Sequence, residues 1–423
     1  MLKPRAVLST IARFLPTRQI LVITGMRQVG KTSLMKLIFE SLTGEQTYYF
    51  DLENFDHLGL CNKGTAAFIN YLTLMGADLS KRVYAAIDEI QYLKNPSNFL
   101  KLLFDHQPNI KLIVSGSSSL DIKTKFQDSL AGRKIIFELD PLSFEEFLIF
   151  TDEPAAKIKR EIGGFINAIE GNLKDGIPLV GHHFAERLQE YLTFGGYPGA
   201  ALQTDMETKK AILRDIHTSY VRKDIKDIGR IDDVYAFNHL LQILAGQAGN
   251  LLNVKEISAT VGLSVNTVKR YLFLLENTFV ITLLRPYHSN KRKELSKMPK
   301  IYFHDVGLWN TVRSSCDVSG QAAGAAVETF VFSELKKRFI PNEELFFWRT
   351  TTGAEVDFVI RHGGQIYPLE VKASELKKPA VSRSLRSFID ANHPEKALVI
   401  NRTLFHIEHV NGTEVIFLPL FAL

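Results

Sequence analysis

Residues 25–32 read GMRQVGKT, a glycine, four intervening residues, then Gly30-Lys31-Thr32. The stretch lies between an apolar run, QILVIT, and a run with helical spacing, TSLMKLIFE. That order suits phosphate chemistry, because glycines let the backbone wrap an anion, successive amides point inward and a helix N-terminus adds its positive dipole end. Lys31 would hold the β- and γ-phosphates and Thr32 would ligate Mg2+, with Gly25, Arg27, Gly30 and Ser33 completing the nucleotide-binding set. A second apolar run, VYAAIDE, ends in Asp88 and Glu89. At the carboxyl end of a parallel strand, Asp88 would join the Mg2+ shell and Glu89 would orient or deprotonate the attacking water. The plainer alternative makes the pair a helix N-cap and a first-turn acid. A third run, KLIVSGSSS, ends in small polar residues, where Ser115 or Ser117 could sense the γ-phosphate. ATP and Mg2+ are the cofactors this set implies.

A second group of acids lies in GAEVDFVIRHGGQIYPLEVKAS, residues 353–374. A tight turn at Gly363-Gly364 pairs His362 with Gln365, Ile360 with Tyr367, Phe358 with Leu369 and Val356 with Val371. The same register sets Asp357 opposite Glu370. One face is then apolar and the other carries Glu355, Asp357, Glu370 and Lys372. Like charges directly opposite on a sheet are destabilising, so the pair needs a proton, a cation or a function. The preceding helical run AAVETFVFSELKKRF adds Glu328, on the same helical face as Val331, Phe332 and Leu335. A buried acid is costly unless paired or ligating metal, and Glu328, Asp357 and Glu370 could together hold a hard divalent ion. Lys372 could stabilise an attacking hydroxide or the developing phosphorane charge. The competing reading pairs Lys372 with Glu355 in a solvated charge ladder.

A third constellation is LLNVKEISATVGLSVNTVKRYLFLLENTFVITLLRPY, from residue 251. A helix over Lys255 to Val261, a turn at Gly262-Leu263-Ser264 with Ser264 as N-cap, and a second helix from Val265 to Glu276 give helix-turn-helix spacing. Asn266, Thr267, Lys269 and Arg270 fall near the start of the second helix, where base and phosphate contacts are made, while Val268, Leu272 and Leu275 would face inward. FVITLLRPY and the basic run SNKRKELSKMPK would form a wing. In that run Lys291, Arg292, Lys293, Lys297 and Lys300 stand against one acid, Glu294. Lys291, Arg292 and Lys293 join the expected DNA-binding set. A solvated loop is the plainer reading of the run, and winged helices also serve as docking surfaces for protein partners.

The elements that must position these groups follow from the wider pattern. At 423 residues the chain exceeds one ordinary core. QILVIT, TYYFDLE, VYAAIDE, KLIVSG and KIIFELD alternate with helical stretches, which predicts a mostly parallel sheet covered by helices. After PLSFEEF, where Ser143 and Glu146 fit a capping box, the pattern is mainly helical to about residue 280. The expected division is 1–200, 201–300 and 301–423. Apolar residues form 45% and charged residues 23% of the chain, as in water-soluble globular proteins. There is no long apolar run for a membrane span and no secretory leader pattern, so a cytoplasmic protein with no membrane partner is expected. Two cysteines, Cys61 and Cys316, support neither a disulfide framework nor a cysteine zinc site. A net charge of +5 permits nucleic acid without requiring it.

GMRQVGKTS, AAIDEIQYL, LIVSGSSS, LAGRKIIFELDPLSFEEF and LQEYLTFGGYPGA together resemble prokaryotic AAA+-type ATPases that carry a C-terminal region of unknown function. The resemblance implies strand order 5-1-4-3-2 and an ATP-driven switch. It also implies an arginine that completes the site, with Arg133 of LAGR and Arg222 of YVRKDI at matching positions. Either could equally be a structural ion-pair partner, and a homo-oligomer follows if Arg133 acts in trans. The order helix Glu, strand Asp, hairpin, strand E-x-K is similar to PD-(D/E)XK nucleases, in the Holliday-junction-resolvase arrangement. The proline of that motif's name is absent, since Glu355-Val356 precede Asp357. The expected fold is therefore multidomain α/β: a parallel-sheet P-loop ATPase core, a helical winged-helix domain and a restriction-endonuclease-like α/β domain. The expected function is ATP binding and hydrolysis in a DNA-associated protein, with Mg2+-dependent cleavage by the C-terminal domain. The alternative is an ATP-gated DNA- or protein-binding switch whose nuclease-like domain is inactive.

Overall fold

The computed structural model describes residues 2–116, 130–172, 177, 180–221, 233–287, 298–315 and 320–423. Ser117, Arg222, Lys291, Arg292, Lys293 and Cys316 lie outside the described residues. Packing divides the chain into two units, Met1–Asp140 with Asn277–Phe279, and Pro141–Glu276 with Val280–Leu423. The break after Asp140 differs from the expected first boundary near residue 200, because the helices that follow pack within the second unit.

In the first unit, strands β1 (Ile20–Thr24), β2 (Gln46–Asp51), β3 (Val83–Asp88), β4 (Ile110–Gly116) and β5 (Lys134–Glu138) form one parallel sheet in the order β2-β3-β4-β1-β5. Read from the other edge this is 5-1-4-3-2. Every residue of β1, β3 and β4 is buried, which explains their near-continuous apolar character. The helix Lys31–Ser41 follows β1 directly and buries Leu34, Met35 and Ile38. Phe50 packs against Phe68, and Phe68 against Phe99, with ring centroids 4.7 and 5.4 Å apart. Strand ends, and so any ligand at the switch point, are thereby fixed on a rigid base.

The second unit begins with the helix Phe144–Thr151, whose Ser143 and Glu146 make the expected capping box. Helices Ala185–Phe194, Met206–Ser219 and Val234–Gly246 follow. The FGGYPGA stretch is explained by packing. The buried Asp305 carboxylate accepts from the Gly196 and Leu308 amides at 2.7 and 2.8 Å, and a Cβ on Gly195 would fall 2.3 Å from Asp305 Oδ1. Helices Val254–Val261 and Val265–Asn277 come next, joined through Gly262 in the left-handed region at φ 73°. Thr267 N donates to Ser264 Oγ at 3.1 Å, and Val268, Leu272 and Leu275 are buried. Strands β6 (Ile281–Leu284) and β7 (Lys300–Phe303) then pair antiparallel.

The C-terminal sheet contains β8 (Leu345–Arg349), β9 (Glu355–His362), β10 (Gln365–Val371), β11 (Lys396–Asn401), β12 (His406–Val410) and β13 (Thr413–Pro419), in the order β12-β13-β11-β10-β9-β8. Helix Arg383–Asn392 buries Leu385, Phe388 and Ile389 in a cluster with Val356, Val359, Val399 and Phe417. The β9–β10 hairpin has the expected register from His362↔Gln365 to Phe358↔Leu369. Strict alternation of faces does not hold beyond Phe358. Phe346 pairs with Val359 and Trp348 with Val356, so β9 carries one extra residue against β8. Val356 and Val359, three positions apart, therefore enter the same cluster, while Phe358 stacks toward Tyr302 and Phe332. The expectation that Val356 shares the face of Phe358 is corrected by this bulge.

Candidate functional site

Residues 25–32 form a loop whose conformation needs its glycines. Gly25 has φ 145°, and a Cβ there would lie 2.3 Å from the Leu139 carbonyl oxygen, so only glycine fits. Gly30, at φ 98°, caps the helix that starts with Lys31. The Lys31 ammonium is buried and donates to the Gly25 and Met26 carbonyls, each at 3.0 Å. Thr32 and Ser33 are exposed at the first turn, and Arg27 is part-buried.

Beside the loop, β3 delivers Asp88 to the same end of the sheet. Its carboxylate accepts from Thr32 Oγ1 at 2.7 Å and from the Tyr49 hydroxyl at 2.6 Å on one oxygen, and from Ser115 Oγ on the other. Burial, and then the Asp88 carboxylate, push the Tyr49 hydroxyl far above its ordinary pKa, so it stays a donor. Glu89 follows in the left-handed region at φ 56°, ψ 49°. Its amide donates to Asp88 Oδ1 at 3.1 Å and lies 3.2 Å from Ser115 Oγ, while its carboxylate accepts from Gln91 Nε2. A non-glycine residue held there is strained, which is common where a side chain must be aimed. The donor set fits a divalent cation with phosphates: one hydroxyl, one carboxylate already in contact, and a helix N-terminus.

Sequence reasoning missed two members of this group. The guanidinium of Arg5 is buried and donates to the Val29 carbonyl at 2.8 Å and the Asp140 carbonyl at 2.7 Å, bracing the loop from outside. Tyr49 sits two residues before the end of β2, the strand paired with β3 at Asp51↔Asp88. Arg133 stands elsewhere. Its carbonyl accepts from Ile20 N at the start of β1, the end of the sheet opposite the loop. There its guanidinium forks onto Asp105 at 2.9 and 3.3 Å, so it does not reach this chain's own phosphate loop.

The C-terminal acids form a second constellation. Glu370 is 5% exposed, its Oε1 lies 2.6 Å from Lys372 Nζ, and its Oε2 has no hydrogen-bond partner among the described residues. Asp357 Oδ2 accepts from the Val371 amide at 2.7 Å, which replaces a ladder bond beyond the bulge. Burial first, then the Glu328 charge, with Glu370 adding, raise the Asp357 carboxyl to about 7 despite Lys300 and the Val371 amide. Glu328 accepts from the Tyr302 hydroxyl at 2.6 Å and faces Lys300 at 3.4 Å. The Lys372–Glu355 pairing of the charge-ladder reading does not form: Glu355 instead binds Lys300 at 2.6 Å and Arg349. Glu328, Asp357 and Glu370 are not gathered as three ligand atoms within 4.8 Å of one another. The chemistry of the set still fits a hard cation, since a buried orphan carboxylate oxygen and a reluctantly ionised neighbour both gain from one.

On the helix Val265–Asn277, Asn266, Lys269 and Arg270 are exposed and Thr267 is part-buried, bonded to Ser264. The β6–β7 pair that follows is almost wholly buried. Lys300, at the end of the basic run, is not solvated as that run suggests but buried at the start of β7.

Comparison with known proteins divides the chain in three. Residues 17–148 match the family described as AAA domain, 185–318 a domain of unknown function (DUF8612) and 323–421 another (DUF4143). An uncharacterized protein of Haemophilus influenzae is 25% identical over 423 residues, covering 97% of this chain and 96% of its own. One from Mycobacterium tuberculosis is 27% identical over 393 residues, 92% of this chain and 77% of that one. One from Methanocaldococcus jannaschii is 28% identical over 348 residues, 81% and 72% of the two chains. Among solved structures, a Walker-type ATPase of Pyrococcus abyssi aligns at TM-score 0.46 and 13% identity, covering 74% of this chain and 96% of that one. The Orc1 protein of Aeropyrum pernix, solved in complex with DNA, aligns at TM-score 0.30 and 14% identity, covering 74% and 93%. No helix among the described residues is long and apolar enough to cross a membrane. With its glycine-built loop, the Thr32–Asp88 contact and the five-stranded parallel sheet, the region matched over residues 17–148 is a P-loop ATPase domain of the AAA type.

Proposed function

We propose that this protein binds and hydrolyses ATP with Mg2+ and acts on DNA, and that its C-terminal acids cut phosphodiester bonds with a divalent cation. The carrying observation is the buried Glu370 oxygen without a partner beside Asp357, whose carboxyl is raised to about 7. In this reading Thr32 and Asp88 would hold Mg2+, which would offset phosphate charge. Lys31 leaves the Gly25 and Met26 carbonyls for the β- and γ-phosphates, and Glu89 orients water. Asn266, Thr267, Lys269 and Arg270 contact DNA as the second helix of a winged helix, with Lys291, Arg292 and Lys293 on the wing. Residues 323–421 take the PD-(D/E)XK-like role, with Glu328, Asp357 and Glu370 as cation ligands and Lys372 beside the attacking hydroxide.

A second reading is favoured by one observation: Lys300 and Lys372 already neutralise Glu355 and Glu370 at 2.6 Å each. The domain then keeps the fold without the reaction, and the chain is an ATP-gated DNA- or protein-binding switch. Incubation of linear, single-stranded and branched DNA with Mg2+ or Mn2+, with and without ATP, separates the two. Cutting by the wild type that disappears in Asp357→Ala supports cleavage. Binding without cutting supports the switch, and neither binding nor cutting removes DNA from the account.

A further inference from the structure

Resting on the reading of the C-terminal acids as a cation site, we propose that Lys300 is an internal counter-ion standing in for the divalent cation, so that cation binding requires its ammonium to withdraw. Lys300 comes from β7, within the region matched over 185–318, whereas the acids belong to the region matched over 323–421. Its side chain is only 2% exposed, and its ammonium lies 2.6 Å from Glu355 and 3.4 Å from Glu328. Tyr302, two residues along the same strand, donates to the same Glu328 oxygen at 2.6 Å. One strand thus presents a cation and a hydroxyl to the acids of another region.

A shared ligand atom and like charge give the reason that Lys300 and a divalent ion exclude each other. The acids are Glu328, Glu355, Asp357 and Glu370, and the cations paired with them are Lys300, Arg349 and Lys372. Lys300 Nζ and the Tyr302 hydroxyl both lie on Glu328 Oε1, the oxygen that its helix would offer an incoming ion. A divalent ion beside the buried Lys300 ammonium would set like charges together where water screens them poorly. Withdrawal of the ammonium frees Glu328 Oε1 and removes that repulsion. Glu370 Oε2, without a hydrogen-bond partner among the described residues, marks where ligand capacity is left over. Because the ammonium is carried on β7, any event that shifts this strand changes the site's affinity for the ion.

The test is calorimetric titration of Mn2+ into the nucleotide-free full chain, following the binding event that Asp357→Asn removes. Lys300→Met is expected to tighten that event at least tenfold and Lys300→Arg to leave it near wild type. Because Lys300→Met removes one of the two cations paired with Glu355, the double variant Lys300→Met/Glu355→Gln is measured beside it, with Mn2+-induced rise in melting temperature as a second readout. An Asp357-dependent event whose affinity is unchanged or weakened in both Lys300→Met variants overturns the counter-ion role while leaving the cation site intact. If no variant shows an Asp357-dependent event, the cation reading itself fails and the inference falls with it.

Discussion

The Thr32 hydroxyl and the Asp88 carboxylate touch at 2.7 Å although they arise from different strand ends, the first from the helix after β1 and the second from β3. Lys31 is held at the same time by two carbonyls of its own loop. The helix that carries Thr32 and the strand that carries Asp88 thus meet at one end of the sheet. Asp88→Asn is expected to lower ATP turnover about a hundredfold or more, the scale of removing a key electrostatic group, while melting temperature stays close to wild type. Steady-state phosphate release beside thermal unfolding checks it.

Arg5 acts on the loop from outside, through the Val29 and Asp140 carbonyls. Arg5→Ala leaves both without that donor, and nucleotide affinity is expected to fall about tenfold, or about 1.4 kcal/mol. Arg5→Lys keeps one donor and should recover part of it. Titration with a fluorescent ATP analogue reads the ordering of the three proteins.

Asp357 makes stability depend on pH in a stated direction. Its folded carboxyl ionises at about 7, above the ordinary aspartate value. The stabilising effect of its proton is complete below the unfolded value and is lost as pH rises through 7. Asp357→Asn removes that loss and is expected to stabilise the second unit by about 2–4 kcal/mol above pH 8 and little below pH 4. Denaturant unfolding of both proteins across pH 4–9 checks the crossover, and a pH-independent difference would contradict it.

DNA contact through the helix Val265–Asn277 predicts a salt signature. Replacing both Lys269 and Arg270 with Ala should weaken DNA binding and reduce the slope of log K against log salt by roughly 2 if each meets one phosphate. An unchanged slope would move the contact elsewhere, and salt-insensitive or absent DNA binding would favour a protein partner.

The parts legible in the sequence were those set by local pattern. The phosphate loop, the β strands that alternate with helices, the Ser143–Glu146 cap and the Ser264-capped helix each depend on residues close together in the chain. The hairpin register was legible for the same reason, as far as Phe358. The bulge in β9 was not, because it depends on pairing with β8 and shifts Val356 by one residue that periodicity alone does not reveal. Arg5 and Tyr49 were missed because their partners, Val29, Asp140 and Asp88, come from other elements of the unit. Lys300 looked like the end of a solvated basic run, and only tertiary packing against Glu328 and Glu355 distinguishes it from its neighbours in sequence. A signal was available there: KIYF alternates Lys300 and Tyr302 on one side of a strand, and both carry polar groups that need partners when buried.

The most direct test of the account is Mg2+-dependent ATP hydrolysis by the full chain, comparing wild type with Lys31→Ala at matched fold. Lys31 donates to the Gly25 and Met26 carbonyls of its own loop, and thermal unfolding of the two proteins checks that the fold is matched. The expected result is turnover by the wild type that requires Mg2+ and is lost in Lys31→Ala. Equal turnover by the two proteins would contradict the placement of ATP chemistry at Lys31, Thr32 and Asp88.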